Sequence, residues 1–137
     1  ASYRRQRQMC IRDSYYSIGV ATPHEIDELN VLNASHLAMK RALKNLPVFP
    51  KKILIDGSHV PEGIQNADSV IKGDSLIQEI SAASVFAKVF RDSLMKIYSE
   101  KYKFYSFQNN KGYPTPEHKN AISRHGLSEI HRKSFKI

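Results

Sequence analysis

The chain has 137 residues, 41% hydrophobic and 25% charged, with a net charge of +8. That size and balance suit one globular domain or part of one, and no apolar run approaches the roughly 18 residues a membrane-spanning helix needs. No secretory leader opens the sequence and the single Cys10 cannot form an internal disulfide, so a cytoplasmic setting is expected, with no membrane partner.

The first 14 residues, ASYRRQRQMCIRDS, do not resemble the rest of the chain: Arg4, Arg5, Arg7 and Arg12 face only Asp13, and no periodicity is present. A basic arm for nucleic acid is one reading. The preferred one is that the segment is extraneous. MCIRDS can be written ATG TGT ATA AGA GAC AGC, which except for its last base is the end of a transposon adapter used in shotgun sequencing.

From Tyr15 onward the pattern is regular. YYSIGVA reads as a short strand. Thr22, Pro23 and Glu25 then form a helix start, with the cap, the first-turn proline and the capping-box acid in their expected places. Ile26, Leu29, Leu32, His36, Met39 and Leu43 recur at steps of three and four, one face of a helix that Pro47 and Pro50 end. Residues 52–56 read as a second strand, PEGIQNAD as a polar loop, and SVI as a third strand closed by Lys72-Gly73-Asp74. A long helix is expected from about Ser75 to Ser99, with the stripe Ile77, Ile80, Ser84, Ala87, Phe90 or Arg91, and Leu94. Its SAAS segment, Ser81 to Ser84, is small enough to let the helix lie close to a sheet. A loop, NKGYPTPEH, leads to a last helix with Thr115 as cap and Pro116 at its first position. Strands alternating with helices predict an α/β fold.

The basic excess lies in residues 101–137, where eight basic residues meet only Glu117 and Glu129. Tyr102, Phe104, Tyr105, Phe107 and Tyr113 are interleaved there with Lys101, Lys103 and Lys111. Such a mixture suits a polyanion with stackable faces, and nucleic acid is the usual one. A basic surface whose aromatics pack inward would have the same composition.

Two apolar runs end alike, ILIDG on Asp56 and VIKGD on Asp74. Strand ends are where α/β sheets gather their active groups. Two carboxylates brought together there repel unless a cation bridges them, and hard oxygen ligands suit Mg2+ or Mn2+. Each has a plainer alternative: Asp56-Gly57 as a turn, and Asp74 as the cap of the next helix. His118, His125 and His131 have no zinc-ligand spacing and read as surface histidines, Ser81 and Ser84 as helix-packing residues, and Asp92 as a surface ion-pair partner. No Gly-rich phosphate loop is present, which argues against a phosphate-handling enzyme of small metabolites.

TPHEIDELNVLNASHLAMKRAL, ILIDGSHVP, IKGDSLIQEISAASVFAKVFRDSLM, NNKGYPTPEH and IHRKSF resemble, in order, blocks of bacterial ribonuclease HII, over residues 17 to 137. The resemblance implies a ribonuclease H-like mixed sheet flanked by helices. It also implies hydrolysis of the RNA strand of RNA–DNA hybrids and cleavage at ribonucleotides embedded in DNA. In the family, four acidic residues hold two divalent ions; Asp56 matches the third and Asp74 the fourth. The first two sit in a DEVGRG-type block that this sequence lacks. Residues 15–137 would then be the C-terminal portion of a catalytic domain with an incomplete sheet, a monomer inactive by itself. Tyr113 matches the tyrosine that packs on the deoxyribose after the ribonucleotide, and Lys72 and Lys111 are the candidate phosphate contacts beside these motifs. A non-catalytic nucleic-acid-binding domain using the basic tail is the alternative.

Overall fold

The computed structural model describes residues 14–135. Residues 1–13, which are all but the last residue of the segment 1–14 expected to be extraneous, lie outside the described residues.

Residues 15–21 form no strand. A strand needs a neighbouring backbone with which to pair, and the neighbour of this segment is a helix. The Ser17 hydroxyl donates to the Ala42 carbonyl, and the Arg41 guanidinium donates to the Val20 carbonyl at 2.7 Å. The approach is so close that a Cβ on Gly19 would overlap the Ala38 carbonyl oxygen.

The expected capping box is present. Helix α1, Pro23–Leu29, begins with the Thr22 side chain accepting from the Glu25 N–H while the Glu25 carboxylate accepts from the Thr22 N–H at 2.8 Å. The single helix predicted beyond it is two. Asn30 adopts φ 70°, ending α1 and starting α2, Val31–Asn45, with its side chain accepting from the Asn33 N–H. Asn tolerates the left-handed region better than most residues, and its short side chain can cap what it interrupts. The predicted apolar face is displaced as a result: Leu29 and Leu32 are exposed, while Ala34 is buried. Ala38 and Ala42, on the same side, meet the 15–21 segment.

Strand β1, Ile53–Asp56, pairs in parallel with β2, Ala67–Val70, in the register Ile53 opposite Ala67 and Asp56 opposite Val70. The third predicted strand thus lies two residues earlier than SVI. Ile53 and Ile55 point inward and are buried. The long helix predicted from Ser75 is also divided. Gly73–Leu76 forms a short helix, α3, and Ile77 turns to an extended conformation before α4, Gln78–Lys101. Both contact β1.

Along α4 the burial is uneven. Ile80 near its start and Met95 near its end are buried, but residues 82–91 are exposed, among them Val85, Phe86, Val89 and Phe90. Ser84, Ala87, Phe90 and Arg91 of the predicted stripe are therefore exposed among the described residues, and most of the SAAS segment faces outward. Phe86 alone of these has an aromatic neighbour among the described residues, Tyr16, stacked at 4.9 Å. The expected surface pair is found, Lys88 with Asp92 at 3.8 Å.

The core sits in the C-terminal third. Met95, Tyr105, Phe107 and Ala121 form it, with Tyr98, Tyr102, Ile122 and Ile130 packed around. They come from α4, a 3-10 turn at Lys103–Tyr105, helix α5 at Phe107–Asn110, and helix α6 at Pro116–His125. Thr115 caps α6 through the His118 N–H, as the sequence predicts. The C-terminal segment returns to α1, where the Asp27 carboxylate accepts from the N–H groups of Lys133 and Ser134, each at 2.9 Å. Two short parallel strands among helices place the chain in the α/β class. Among the described residues, no helix is long and apolar enough to cross a membrane.

Candidate active site

Asp56 is the last residue of β1, and Asp74 lies four residues beyond the end of β2, which runs beside β1 in the same direction. The Gly57 N–H donates to the Val70 carbonyl at 2.9 Å, extending the ladder past Asp56. Beyond it the chain passes through Ile71 and Lys72 and enters α3. There the Gly73 N–H donates to Asp56 Oδ1 at 2.8 Å. Asp74 is the next residue, so both acidic residues lie at one end of the strand pair.

Gly73 makes the approach possible. A Cβ there would lie 2.6 Å from the Ile80 Cδ1 atom, 3.3 Å from the Val70 Cβ atom and 3.4 Å from Asp56 Oδ1. Lys72 before it is left-handed at φ 55°, which turns the chain from strand into helix and leaves the lysine exposed.

Asp56 is exposed, so its charge is not a buried one that by itself demands a cation. One expectation changes. Asp74 does not cap the next helix, because it lies inside α3, whose cap position is Lys72, with no side-chain cap bond. Neither carboxylate takes part in any of the ion pairs found among the described residues. Among the described residues no group of three or more His, Cys, Asp and Glu side chains is placed to hold a metal ion. The donor set is thus two carboxylates, one with an oxygen already taken by a backbone N–H.

The second cluster is the loop between α5 and α6. Tyr113 is 66% exposed at its tip, although the aromatics around it pack inward. Of the residues interleaved with lysines, Tyr105 and Phe107 are core residues and Tyr102 is half-buried. Only Phe104, stacked on His125 at 4.2 Å, and Tyr113 remain open. The backbone under Tyr113 is held from several sides. Buried Asn110 donates from its side chain to the Tyr105 carbonyl and accepts from the Gly112 N–H at 2.8 Å. Arg91 of α4 donates to the Lys111 carbonyl at 3.2 Å. The Tyr113 carbonyl accepts from the Thr115 N–H at 2.8 Å. Lys111, left-handed at φ 52°, turns its amine back onto the Gln108 carbonyl at 2.6 Å. No hydrogen bond or ion pair among the described residues joins this cluster to Asp56 or Asp74. What links them is α4, which begins just after Asp74 and carries Arg91 to the loop.

Two of the three histidines expected at the surface are interior. His118 is 3% and His131 8% exposed, and their Nε2 atoms lie 2.9 Å apart. His118 Nδ1 lies 2.8 Å from the Tyr113 carbonyl oxygen, and His131 Nδ1 accepts from the Ser128 N–H at 2.9 Å. Burial, and next the neighbouring His118, pushes the pKa of His131 below its ordinary value. Zinc-ligand spacing cannot find such a pair, because the two rings bond to each other rather than to a metal. The visible signal in the sequence is that both stand within the PTPEH and IHRKSF blocks rather than in the lysine-rich stretch.

Comparison with known proteins gives one answer. The family model described as ribonuclease HII matches residues 7–137. A ribonuclease HII of Borreliella burgdorferi is 45% identical over 130 residues, 94% of this chain and 72% of that protein. One of Acinetobacter baylyi is 47% identical over 121 residues, covering 88% of this chain and 64% of that protein. One of Shewanella amazonensis is 50% identical over 120 residues, 88% of this chain and 58% of that protein. The chain therefore spans between 58% and 72% of the length of these relatives.

Proposed function

The chain belongs to the ribonuclease HII family, and on that premise we propose that it carries part of the machinery of a metal-dependent endonuclease. Its substrates are RNA–DNA hybrids, whose RNA strand it hydrolyses, and DNA duplexes containing embedded ribonucleotides. The observation that supports the reading is the Asp56–Gly73 hydrogen bond, which ties the residue before Asp74 to the end of a parallel strand pair.

The two carboxylates fit a hard divalent ion, Mg2+ or Mn2+, in charge and in ligand type. Asp56 and Asp74 would hold it, and a bound pair of such ions supplies an activated water and charge stabilisation for the leaving 3′ oxygen. The Gly73 N–H fixes one oxygen of Asp56 and so orients the other. Tyr113 offers an exposed ring on a rigid loop to a sugar face, and Lys72 and Lys111 lie beside the two motifs for phosphate contact. Residues 101–137 supply net positive charge that positions a duplex without reading its sequence. A ribose 2′-hydroxyl is the group by which such a site separates RNA from DNA.

With two carboxylates in place of four, residues 1–137 alone are expected to hold one ion weakly and not to cleave at a meaningful rate. The non-catalytic alternative keeps the basic surface and dispenses with the metal. Titration with Mn2+, followed by paramagnetic broadening of the backbone amides, separates the two. The metal reading expects broadening centred on Asp56, Gly57, Gly73 and Asp74 that disappears in Asp56→Asn. Broadening elsewhere, or none at millimolar Mn2+, contradicts it.

A further inference from the structure

The buried histidines have a defined proton order. The Ser128 N–H can only donate, so His131 Nδ1 accepts and is bare; the Ser128 hydroxyl lies 2.7 Å from the same nitrogen. A neutral imidazole with a bare Nδ1 carries its proton on Nε2, which faces His118 Nε2 at 2.9 Å. That second nitrogen must therefore be bare, and His118 carries its proton on Nδ1. There it meets the Tyr113 carbonyl oxygen at 2.8 Å, which can only accept. Both ends of the chain of bonds demand the same direction.

We propose that His118 and His131 are positioning residues: they form a neutral, one-directional relay from the Ser128 backbone to the Tyr113 carbonyl that holds the Tyr113 ring out for the nucleic acid. This rests on the reading of Tyr113 as a substrate contact.

Several observations carry it. The relay is enclosed: Tyr105 stands 4.9 Å from His131 and Phe107 stands 5.6 Å from His118, ring centre to ring centre. A buried hydrogen bond is costly to leave unmade, so a closed polar chain fixes one arrangement of the groups at its ends. One of those ends is the backbone of the only residue in the loop whose large ring is exposed. The other is Ser128, on the segment that leads to Arg132 and to the Lys133 and Ser134 N–H groups anchored on Asp27. The loop and the C-terminal segment are thus tied through two imidazoles, and α6 carries one of them.

The test has two arms, both on the full chain. Nitrogen-15 spectra of the imidazoles at neutral pH read the tautomers without any substitution. The relay expects His118 protonated at Nδ1 and His131 at Nε2, and the opposite assignment for either ring overturns it. The second arm measures affinity by fluorescence anisotropy for a DNA duplex with one embedded ribonucleotide. Tyr113→Ala is expected to weaken binding roughly tenfold, the scale of losing one aromatic contact to a nucleotide. His131→Phe keeps the ring volume but removes the donor to His118, and is expected to match Tyr113→Ala. His131→Gln retains an N–H donor and is expected to restore most of the affinity. The double variant Tyr113→Ala/His131→Phe should bind no more weakly than Tyr113→Ala, because the two act on one contact. A loss in Tyr113→Ala with none in His131→Phe, or losses that add, overturns the relay and leaves the substrate-contact reading standing. No loss in Tyr113→Ala overturns that reading and the proposal with it. If affinity in the His131 variants simply follows their melting temperatures, with no rescue by Gln, the role is structural and the proposal fails.

Discussion

The backbone N–H of Gly73 reaches across to the carboxylate of Asp56 at 2.8 Å, so the residue before Asp74 is hydrogen-bonded to the residue that ends the neighbouring strand. Two sequence motifs 17 positions apart are joined by this one bond. It ties a strand end, a left-handed lysine and a short helix into a single corner that presents both acids.

That corner is tight at position 73. Gly73→Ala would place a methyl group 2.6 Å from the Ile80 Cδ1 atom, at a buried position, and against Val70 and Asp56 as well. Overpacking of this kind costs about 1–3 kcal/mol. We expect a lower urea midpoint of that scale, because the buried Ile80 side chain must move aside, and a weaker Mn2+ affinity, because the methyl group crowds the bond between Gly73 and Asp56. A variant with wild-type midpoint and wild-type Mn2+ affinity would show that the corner is looser than its geometry.

Gly19 makes a second close approach, with no metal chemistry attached. An alanine there would overlap the Ala38 carbonyl oxygen and stand 2.6 Å from the Ala42 nitrogen, both backbone atoms that cannot move aside. Gly19→Ala is expected to lift residues 15–21 from α2, breaking the bonds to the Ala42 and Val20 carbonyls and opening the segment's backbone to proteolysis. Limited proteolysis reads it directly: faster cleavage N-terminal to Thr22 is expected, and an unchanged pattern would contradict the packing.

Acid should act on stability in two steps. His131 is held neutral in the fold by burial, with His118 beside it and the Tyr105 and Phe107 rings packed around it, so its native pKa lies below the ordinary 6.5. Below that pH the unfolded chain binds a proton the native chain refuses, and stability falls as pH falls. Glu25 has the opposite chemistry and the same sign of effect. Hydrogen bonds from the Arg41 guanidinium, at 2.5 and 2.8 Å, and from Thr22 hold its pKa at about 2 against an ordinary 4.5. Asp27 is lowered chiefly by the Ser134 hydroxyl, then by the Ser134 and Lys133 N–H groups. Both carboxylates stabilise the fold fully above their ordinary pKa values and lose that contribution as acid protonates them. Urea midpoints should therefore drop once below about pH 6.5 and again below about 4.5. His131→Phe should remove the first step, and Glu25→Gln should shrink the second to the part that Asp27 supplies. A midpoint unchanged from pH 7 to 5 would contradict the neutral buried histidine.

The sequence made the local rules visible. Thr22, Pro23 and Glu25 build the capping box as read, Thr115 and Pro116 start α6, and β1 falls within a residue of its expected place. The breaks were hidden. Asn30 and Ile77 divide two helices that periodicity alone makes continuous, because a single residue leaving helical conformation barely disturbs the spacing of apolar side chains. The face of α4 misled for a different reason. Ser84, Ala87 and Phe90 keep the pattern of a covered helix, and a pattern records what the chain is selected to meet rather than what stands there. Val85, Phe86, Val89 and Phe90 are exposed in a chain that spans only part of its relatives' length. Asp56 is legible as a strand end; Asp74 is not one, since β2 stops at Val70 and Asp74 lies inside α3. The histidine relay was not legible, because no spacing rule marks two imidazoles brought together from α6 and the C-terminal segment.

The exposed face and the two-carboxylate corner lead to one decisive experiment. Residues 15–137 are assayed alone and joined to the N-terminal acidic block of a ribonuclease HII, each with Mn2+, on a duplex carrying one embedded ribonucleotide. Cleavage at the ribonucleotide is expected only in the joined form, and should be lost on Asp56→Asn or Asp74→Asn within it. Comparable cleavage by both forms would show that two carboxylates suffice, and undiminished cleavage by the joined Asp56→Asn and Asp74→Asn variants would show that neither residue holds the metal.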